Sequence, residues 1–200
     1  MIIFSFDVDS VALKTEDSII EHIEEFHNIK ITPKDVTHWG YYTENFPSVI
    51  NFFSNEKLYE GVKNIKGMDI VIENLIKDFG PNSIQFITSS HSKVKKAKER
   101  CLLKNYGHIE DFEKINIIHV GLEGEEGTNH EKHHFTNQTI MIDDAIHNIE
   151  DHLNSNPKHK AILVDFGYGW NQNYERKNVY RVKSPEELLN KLLEILEEEK

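Results

Sequence analysis

Short apolar runs recur along the chain, and each ends near polar residues or glycine. The first run spans residues 1–6, and similar runs follow at 84–87, 115–120, 139–142 and 161–164. Short runs that are rich in Ile, Val and Phe are typical of strands buried on both faces. The pattern therefore predicts a core of five strands.

Helical patterns lie between these runs. One helical face is apolar at Met68, Ile72, Leu75, Ile76 and Phe79. Gly80 follows at a position that favours the end of a helix. A second helix is predicted over 93–105, and Ser184, Pro185 and Glu187 form the capping pattern of a last helix that runs to near the C-terminus. Because strands and helices alternate, we expect an α/β fold with a three-layer α/β/α, Rossmann-like parallel sheet.

The segment 13–66 interrupts this alternation. A helix is predicted to begin near Thr15, with one apolar side formed by Ile19, Ile20, Ile23 and Phe26. An aromatic-rich stretch follows it. We expect a small helical cap inserted after the first strand, so that the catalytic core comprises 1–12 and 67–200.

Length and charge narrow the class of protein. A chain of 200 residues can bury one core with a modest insertion. With 34 Asp and Glu against 23 Lys and Arg, the net charge of −11 repels polyanions and argues against stable binding of duplex nucleic acid. A small phosphate ester stays compatible with this charge, because a bound divalent cation reverses the local field.

The cysteine content and the apolar runs indicate the compartment. Cys101 is the only cysteine, which excludes an intramolecular disulfide and a cysteine-rich zinc site and suits a reducing cytoplasm. No apolar run approaches the roughly 20 residues that span a bilayer, so no membrane partner is expected. The run at 1–6 leads directly into carboxylates and is interpreted as a strand rather than a signal peptide. The oligomeric state stays open, a homodimer included.

Pairs of acids follow two of the predicted strands. Asp7 and Asp9 follow the first strand, and Asp143 and Asp144 follow the fourth. Either pair alone is also typical of a turn or a helix cap. Because the carboxyl ends of parallel strands meet at one edge of a sheet, the two pairs are expected to lie together, where their charges repel unless a hard cation such as Mg²⁺ binds between them.

Hydroxyl groups follow the second strand, and several lysines could complete a phosphate site. Thr88, Ser89 and Ser90 offer hydroxyls and backbone donors for phosphate oxygens, although such runs are also common in loops. The lysines that could neutralise a phosphate are Lys93, Lys95, Lys96 and Lys132. The stretch 93–98 is interpreted as the basic face of a helix. His130, His133 and His134 flank Lys132 and are interpreted as a polar loop rather than a metal site.

The order of these motifs resembles that of the haloacid dehalogenase (HAD) superfamily. The stretches that carry the resemblance are Asp7-Val-Asp9, Phe86-Ile-Thr88-Ser89, Lys132 and Ile140-Met-Ile-Asp143-Asp144-Ala145. With an insertion after the first strand, they are most similar to the 5′(3′)-deoxyribonucleotidase branch. Ser10 stands where that branch usually has Gly or Asp, and the arginine often found after its last acid pair is absent.

The resemblance implies a phosphatase mechanism. Asp7 would be the nucleophile that forms an aspartyl-phosphate, and Asp9 would act as general acid and then as general base. Mg²⁺ would be held by Asp7, the backbone carbonyl of Asp9 and Asp144, while Asp143 orients the neighbouring shell.

The resemblance also implies residues that bind the phosphate and the substrate. Thr88 and Lys132 would hold the phosphoryl oxygens, and the family pattern favours Lys132 because it lies between the third and fourth strands. The substrate would be a small phosphorylated metabolite, specifically a nucleotide. In the branch that this chain resembles, cap aromatics select the base, and Trp39 and Phe46 are candidates here, although such aromatics also pack an insertion against itself. The loop 165–171 is a further candidate for the border of the site.

Other functions share part of this pattern. A response-regulator receiver also unites acids, a hydroxyl and a lysine, but its phosphorylated Asp follows a central strand and its lysine comes last. A binding protein on a disabled hydrolase scaffold would not need usable side chains in all four motifs, which this chain has. Within the enzymes, the alternatives are a phosphatase for another small metabolite or for a nucleic-acid 3′ phosphate.

Overall fold

A single parallel sheet forms the centre of the protein. The computed structural model describes residues 2–121, 131–136 and 139–198. In this part of the chain the strands are β1 (Ile3–Phe6), β2 (Ile84–Ser89), β3 (Asn116–Val120), β4 (Thr139–Asp143), β5 (Lys160–Val164) and β6 (Val179–Val182). They pair in parallel in the order β3-β2-β1-β4-β5-β6.

The sheet confirms the predicted α/β class and corrects the number of strands from five to six. The strand that the pattern did not predict, β6, lies at an edge of the sheet. Its first three residues are only partly buried, and Arg181 interrupts its apolar character. A strand at the edge of a sheet has a neighbouring strand on one side only and is less buried than a central strand. It therefore needs no continuous apolar run.

Helices cover the sheet and form the segment after β1. They are α1 (Thr15–His27), α2 (Tyr41–Asn45), α3 (Ser48–Phe52), α4 (Met68–Phe79), α5 (Lys95–Tyr106), α6 (Ile146–Ser155) and α7 (Pro185–Glu198). The predicted end of α4 is confirmed, since Gly80 follows it with a φ of +81°. At α7, the Ser184 hydroxyl accepts the backbone N–H of Glu187 at 3.2 Å, as a helix cap requires. The Glu187 carboxylate accepts from the backbone N–H of Lys183 rather than from that of Ser184.

The segment 13–66 contains α1, α2 and α3. Ile19 and Ile23 of α1 are buried, as their spacing predicts. Phe26 was predicted on the same apolar side, but it is 67% exposed and packs its ring on His22 instead of entering the core. No helix in the described ranges is long and apolar enough to cross a membrane.

The register of the central strands determines where the polar side chains meet. In β1, Phe6 pairs with Phe86 of β2 on one side and with Ile142 of β4 on the other. The backbone N–H of Asp7 continues this pairing and donates to the carbonyl of Ile142 at 2.8 Å. The residues that follow β1, β2 and β4 therefore lie side by side at the carboxyl edge of the sheet.

Candidate active site

Three aspartates from β1 and β4 form one buried cluster. Asp7, Asp143 and Asp144 each offer a carboxylate oxygen, and these oxygens lie within 4.8 Å of one another. All three side chains are buried. For Asp7 and Asp144, burial disfavours the charged form, and the neighbouring carboxylates add repulsion. Accordingly, burial raises the pKa of Asp7 to about 7 against the opposing effect of Lys132.

Asp144 has the chemistry expected of a metal ligand. Both of its carboxylate oxygens are buried and have no hydrogen-bond partner among the described residues. Burial, followed by the charges of Asp143 and Asp7, raises the pKa of Asp144 well above its usual value. Buried carboxylates without a partner are costly, and a hard divalent cation with oxygen ligands would satisfy them. The side chains in this cluster therefore fit Mg²⁺.

Asp143 is held by neighbouring groups instead. Its Oδ1 accepts the backbone N–H of Ala145 at 2.8 Å, and its Oδ2 accepts from Lys132 at 2.8 Å. The amide of Asn148 lies 3.1 and 3.2 Å from the two oxygens. Asp143 therefore lies beside the cluster and holds the backbone just before α6. It does not cap that helix, whose N-cap residue is Ala145 and which has no side-chain cap hydrogen bond.

Lys132 bridges the acids that follow β1 and β4. Its ammonium lies 2.8 Å from Asp7 Oδ1 and 2.8 Å from Asp143 Oδ2, and the side chain is 3% exposed. Burial disfavours the ammonium, but the two carboxylates outweigh it and raise the pKa of Lys132 above its usual value. The short turn that carries Lys132 is tied to β2, since the side chain of Gln85 donates to the carbonyl of Phe135 at 3.0 Å.

Lys98 is a site residue that the sequence interpretation missed. Its ammonium lies 2.6 Å from Asp9 Oδ2, 2.6 Å from Thr88 Oγ1 and 2.9 Å from the carbonyl of Ser89. The interpretation of 93–98 as a basic helix face is wrong at Lys98, which is 0% exposed. The spacing along the helix indicates that Lys98 lies on the buried side, because it is four residues from both Val94 and Leu102, which are buried.

The hydroxyl run after β2 lies at the same edge. Thr88 is fully buried and contacts Lys98, while Ser89 and Ser90 line the cavity described below. The Ser90 hydroxyl lies 3.2 Å from Nδ1 of His119. Lys93 and Lys96 are exposed on the first turns of the α5 region.

A cavity of about 680 Å³ lies between the segment 13–66 and the carboxyl edge of the sheet. Asp7, Asp9 and Lys132 line it from the core side, and Trp39 and Tyr42 line it from the other. The cavity is large enough for a small metabolite.

The two aromatic candidates have different positions. Trp39 lines the cavity and is 58% exposed, with its ring 5.2 Å from that of His147 and 6.1 Å from that of Trp170. Phe46 is 6% exposed and packs against the rings of His27 and Tyr41, and it is not among the residues that line the cavity in the described ranges. The structure thus brings Trp39, but not Phe46, to the site.

The loop 165–171 borders the cavity through Trp170. The indole N–H of Trp170 donates to the backbone carbonyl of Asp144 at 3.3 Å, and the amide of Asn171 donates to the same carbonyl at 3.2 Å. Gly169 lies against the segment 13–66 so closely that an added Cβ would be 2.4 Å from the carbonyl of Val36. Any side chain at this position would push the loop away from that segment.

Glu16 is a second residue that the sequence interpretation missed. It is 4% exposed, lines the cavity and accepts a hydrogen bond from the Tyr42 hydroxyl through Oε1. Its other carboxyl oxygen has no hydrogen-bond partner within the described parts of the chain. Burial, and to a smaller extent the charge of Asp17, raises the pKa of Glu16 to about 8.

The histidines near Lys132 lie in a polar helical turn. His134 Nε2 lies 2.7 Å from Glu131 Oε2, and His133 Nε2 lies 3.5 Å from the same oxygen. Glu131 and His134 are exposed. His130, the third histidine of this group, lies outside the described residues.

Comparisons with known proteins identify the fold. No family model and no curated protein matches the sequence. Among solved structures, protein tyrosine kinase A of Mycobacterium tuberculosis is 14% identical with a TM-score of 0.62, and the match covers 95% of this chain and 97% of that one. A HAD-superfamily hydrolase of subfamily IA from Geobacter sulfurreducens is 10% identical with a TM-score of 0.54, at 96% coverage of both chains.

A third similar structure contains a metal. The HAD-hydrolase YfnB of Bacillus subtilis, solved in a magnesium-bound form, is 15% identical with a TM-score of 0.56, and the match covers 96% of this chain and 98% of that one. At these identities the likeness concerns the fold alone. The chain has the HAD-like α/β fold over nearly its whole length.

Proposed function

We propose that this protein is a Mg²⁺-dependent phosphomonoester hydrolase that works through an aspartyl-phosphate on Asp7. The observation that carries the proposal is the position of Asp7 at the core side of the cavity. The ammonium of Lys132 lies 2.8 Å from it, and the carboxylate of Asp144, which has no hydrogen-bond partner in the described ranges, belongs to the same cluster. The fold shared with HAD hydrolases and the magnesium in one of them support the same reaction.

The first step transfers the phosphoryl group to the protein. A carboxylate oxygen of Asp7 attacks phosphorus, the bond to the ester oxygen breaks, and its electron pair goes to that oxygen, which takes a proton from Asp9. Lys132 and Thr88 stabilise the phosphoryl oxygens. Asp7, Asp144 and the backbone carbonyl of Asp9 would hold Mg²⁺, which when bound would supply positive charge to offset the charge of the phosphoryl group.

The second step returns Asp7 to its starting state. Water attacks the phosphorus of the aspartyl-phosphate, and Asp9, now ionised, takes a proton from that water. The bond between phosphorus and the Asp7 oxygen breaks, which releases inorganic phosphate. The carboxyl group of Asp9 is thus protonated again and is ready for the next substrate.

For the substrate we propose a nucleoside monophosphate, as in the 5′(3′)-deoxyribonucleotidases. Trp39 and Trp170 lie on the cavity border with their ring centroids 6.1 Å apart, and Tyr42 lines the cavity from the same segment as Trp39. Aromatic rings at the mouth of a phosphate site suit the stacking of a base. Another small phosphorylated metabolite or a nucleic-acid 3′ phosphate is the alternative within this class.

A panel of phosphomonoesters tests both the proposed reaction and the proposed substrate. The purified protein is assayed for phosphate release with Mg²⁺ and with EDTA on deoxyuridine, thymidine and other nucleoside monophosphates, sugar phosphates and a 3′-phosphorylated oligonucleotide. Release that depends on Mg²⁺ and is fastest with nucleoside monophosphates is the expected result. A preference for a sugar phosphate would show that the substrate is another small metabolite. A stable phosphoprotein without turnover would indicate a phospho-acceptor module instead of an enzyme.

A further inference from the structure

Lys98 is a buried lysine whose ammonium group is fully occupied by protein acceptors. It donates to Asp9 Oδ2, Thr88 Oγ1 and the carbonyl of Ser89 at 2.6, 2.6 and 2.9 Å. An ammonium has three N–H donors, and these acceptors use all of them. Lys98 therefore has no donor left for a substrate, and any effect on the reaction must pass through its neighbours.

The Asp9 carboxyl is fixed from two sides. Lys98 holds Oδ2 from α5, while the Tyr59 hydroxyl donates to Oδ1 at 3.2 Å from the segment 13–66. The Lys98 ammonium also lies 5.3 Å from the centre of the Tyr59 ring. Oδ2 accepts the shorter bond, at 2.6 Å, and Oδ1 accepts the longer one, so Lys98 is the closer of the two groups that hold the carboxyl. The Asp9 side chain is 32% exposed and lines the cavity.

Lys98 also sets the position of Asp9 relative to the phosphate-binding hydroxyl. Thr88 Oγ1 lies 3.4 Å from Asp9 Oδ2, and the Lys98 ammonium contacts both atoms. Because Thr88 Oγ1 accepts from Lys98, its own proton points away from the ammonium. The lysine thus connects the group that transfers a proton with the group that binds the phosphoryl oxygens.

We propose that Lys98 is a positioning residue that holds the Asp9 carboxyl in place for proton transfer to the leaving oxygen. This inference rests on the proposed phosphatase function. A buried ion pair with only a structural role would slow all substrates by the same factor. A lysine that positions the general acid affects mainly those substrates whose leaving oxygen needs a proton.

Two aryl esters of similar shape separate these effects. The leaving oxygen of p-nitrophenyl phosphate departs readily without a proton, whereas that of phenyl phosphate depends more on protonation. The ratio kcat/KM reports only the steps up to the departure of the leaving group. The second role of Asp9, as a base toward water, therefore does not enter this comparison.

The test compares wild type, Lys98→Met and Lys96→Met on both esters with Mg²⁺. Lys96 is an exposed lysine on the same helix, and its replacement controls for the loss of a charge. We expect Lys98→Met to lower kcat/KM by about 100-fold for phenyl phosphate and by less than about tenfold for p-nitrophenyl phosphate. Equal losses for the two esters, or no loss, would overturn the proposal. Lys96→Met should behave as wild type.

A double variant keeps the test valid if Lys98→Met does not fold. The double variant carries Asp9→Asn and Lys98→Met, so neither charge of the pair stays behind without its partner. Its circular dichroism spectrum and its kcat/KM are compared with those of the single variant Asp9→Asn. If Lys98 acts through Asp9, the two variants differ by less than about threefold in kcat/KM. If Lys98→Met lowered kcat/KM as strongly in the Asp9→Asn background as in wild type, the proposal would be contradicted. A folded wild type that hydrolyses neither ester would count against the phosphatase function itself.

Discussion

The ammonium of Lys132 lies 2.8 Å from Asp7 Oδ1, and both side chains are buried. The same ammonium neutralises Asp143, so one lysine serves two carboxylates in a cluster that also contains Asp144. The carboxyl groups of this cluster thus outnumber the ammonium that contacts them. When they are ionised, their remaining negative charge favours the binding of a divalent cation beside Lys132.

Replacement of Lys132 by Met should destabilise the protein and abolish turnover. Removing one partner of a buried ion pair leaves an uncompensated charge, which costs about 3–5 kcal/mol in the free energy of unfolding. Urea denaturation with and without Mg²⁺ measures this cost. The cation should restore part of the lost stability, because it binds the same carboxylates. Lys93→Met, at an exposed position, serves as the control, and a loss of similar size there would argue against the assignment.

Replacement of Asp7 by Asn should abolish phosphate release while the fold stays intact. The amide has nearly the same shape as the carboxylate but cannot serve as the nucleophile. Phosphate release from p-nitrophenyl phosphate is measured together with the far-ultraviolet circular dichroism spectrum. Asp17→Asn on the exposed side of α1 is the matched control. Undiminished hydrolysis by the Asp7 variant would remove Asp7 from the mechanism.

Replacement of Asp144 by Asn should affect stability in opposite directions with and without metal. Without metal, the variant should unfold at a higher temperature than wild type, because it lacks a buried carboxylate that has no hydrogen-bond partner in the part of the chain that the structure describes. With Mg²⁺ at about 100 times its dissociation constant, wild type should gain about 2.7 kcal/mol, and the variant should gain much less. Thermal unfolding in EDTA and in Mg²⁺ gives both values. An equal response of the two proteins to Mg²⁺ would exclude Asp144 as a ligand.

The parts of the site that the sequence could predict are those attached directly to strand ends. Asp7, Thr88 and Asp143 follow buried runs, and parallel strands bring their carboxyl ends to one edge. Lys98 and Glu16 could not be found in this way, because both lie on helices and their burial depends on which side of the helix faces the rest of the protein. A charged residue at a buried helical position looks like any other surface residue unless its apolar neighbours are considered together.

The positions of the aromatic side chains in the segment 13–66 could not be predicted from the sequence either. Trp39 and Phe46 were equal candidates, since both are large aromatics in the same segment. Only the packing of α1 and α2 separates them, because it buries Phe46 against His27 and Tyr41 and leaves Trp39 at the cavity. Aromatic residues provide both core packing and binding surface, so residue type alone does not distinguish the two uses.

Glu16 should make the stability of the protein depend on pH. Its pKa is raised from an ordinary value of 4.5 to about 8 in the folded state, and burial is the main cause. The folded protein therefore keeps a proton on Glu16 that the unfolded chain has lost. The stability from this group is fully present below pH 4.5 and is lost as the pH rises to about 8.

The variant Glu16→Gln isolates this contribution from those of Asp7 and Asp144, which titrate in the same direction. The amide cannot ionise, and its carbonyl can still accept the hydrogen bond of Tyr42. Urea denaturation of both proteins between pH 5 and pH 9 is the measurement. Wild type should lose on the order of 4 kcal/mol relative to the variant across this range, with little further change above the raised pKa. A constant difference between the two proteins would mean that Glu16 is already ionised at pH 5, and that its carboxylate has a partner in the folded protein that neutralises it.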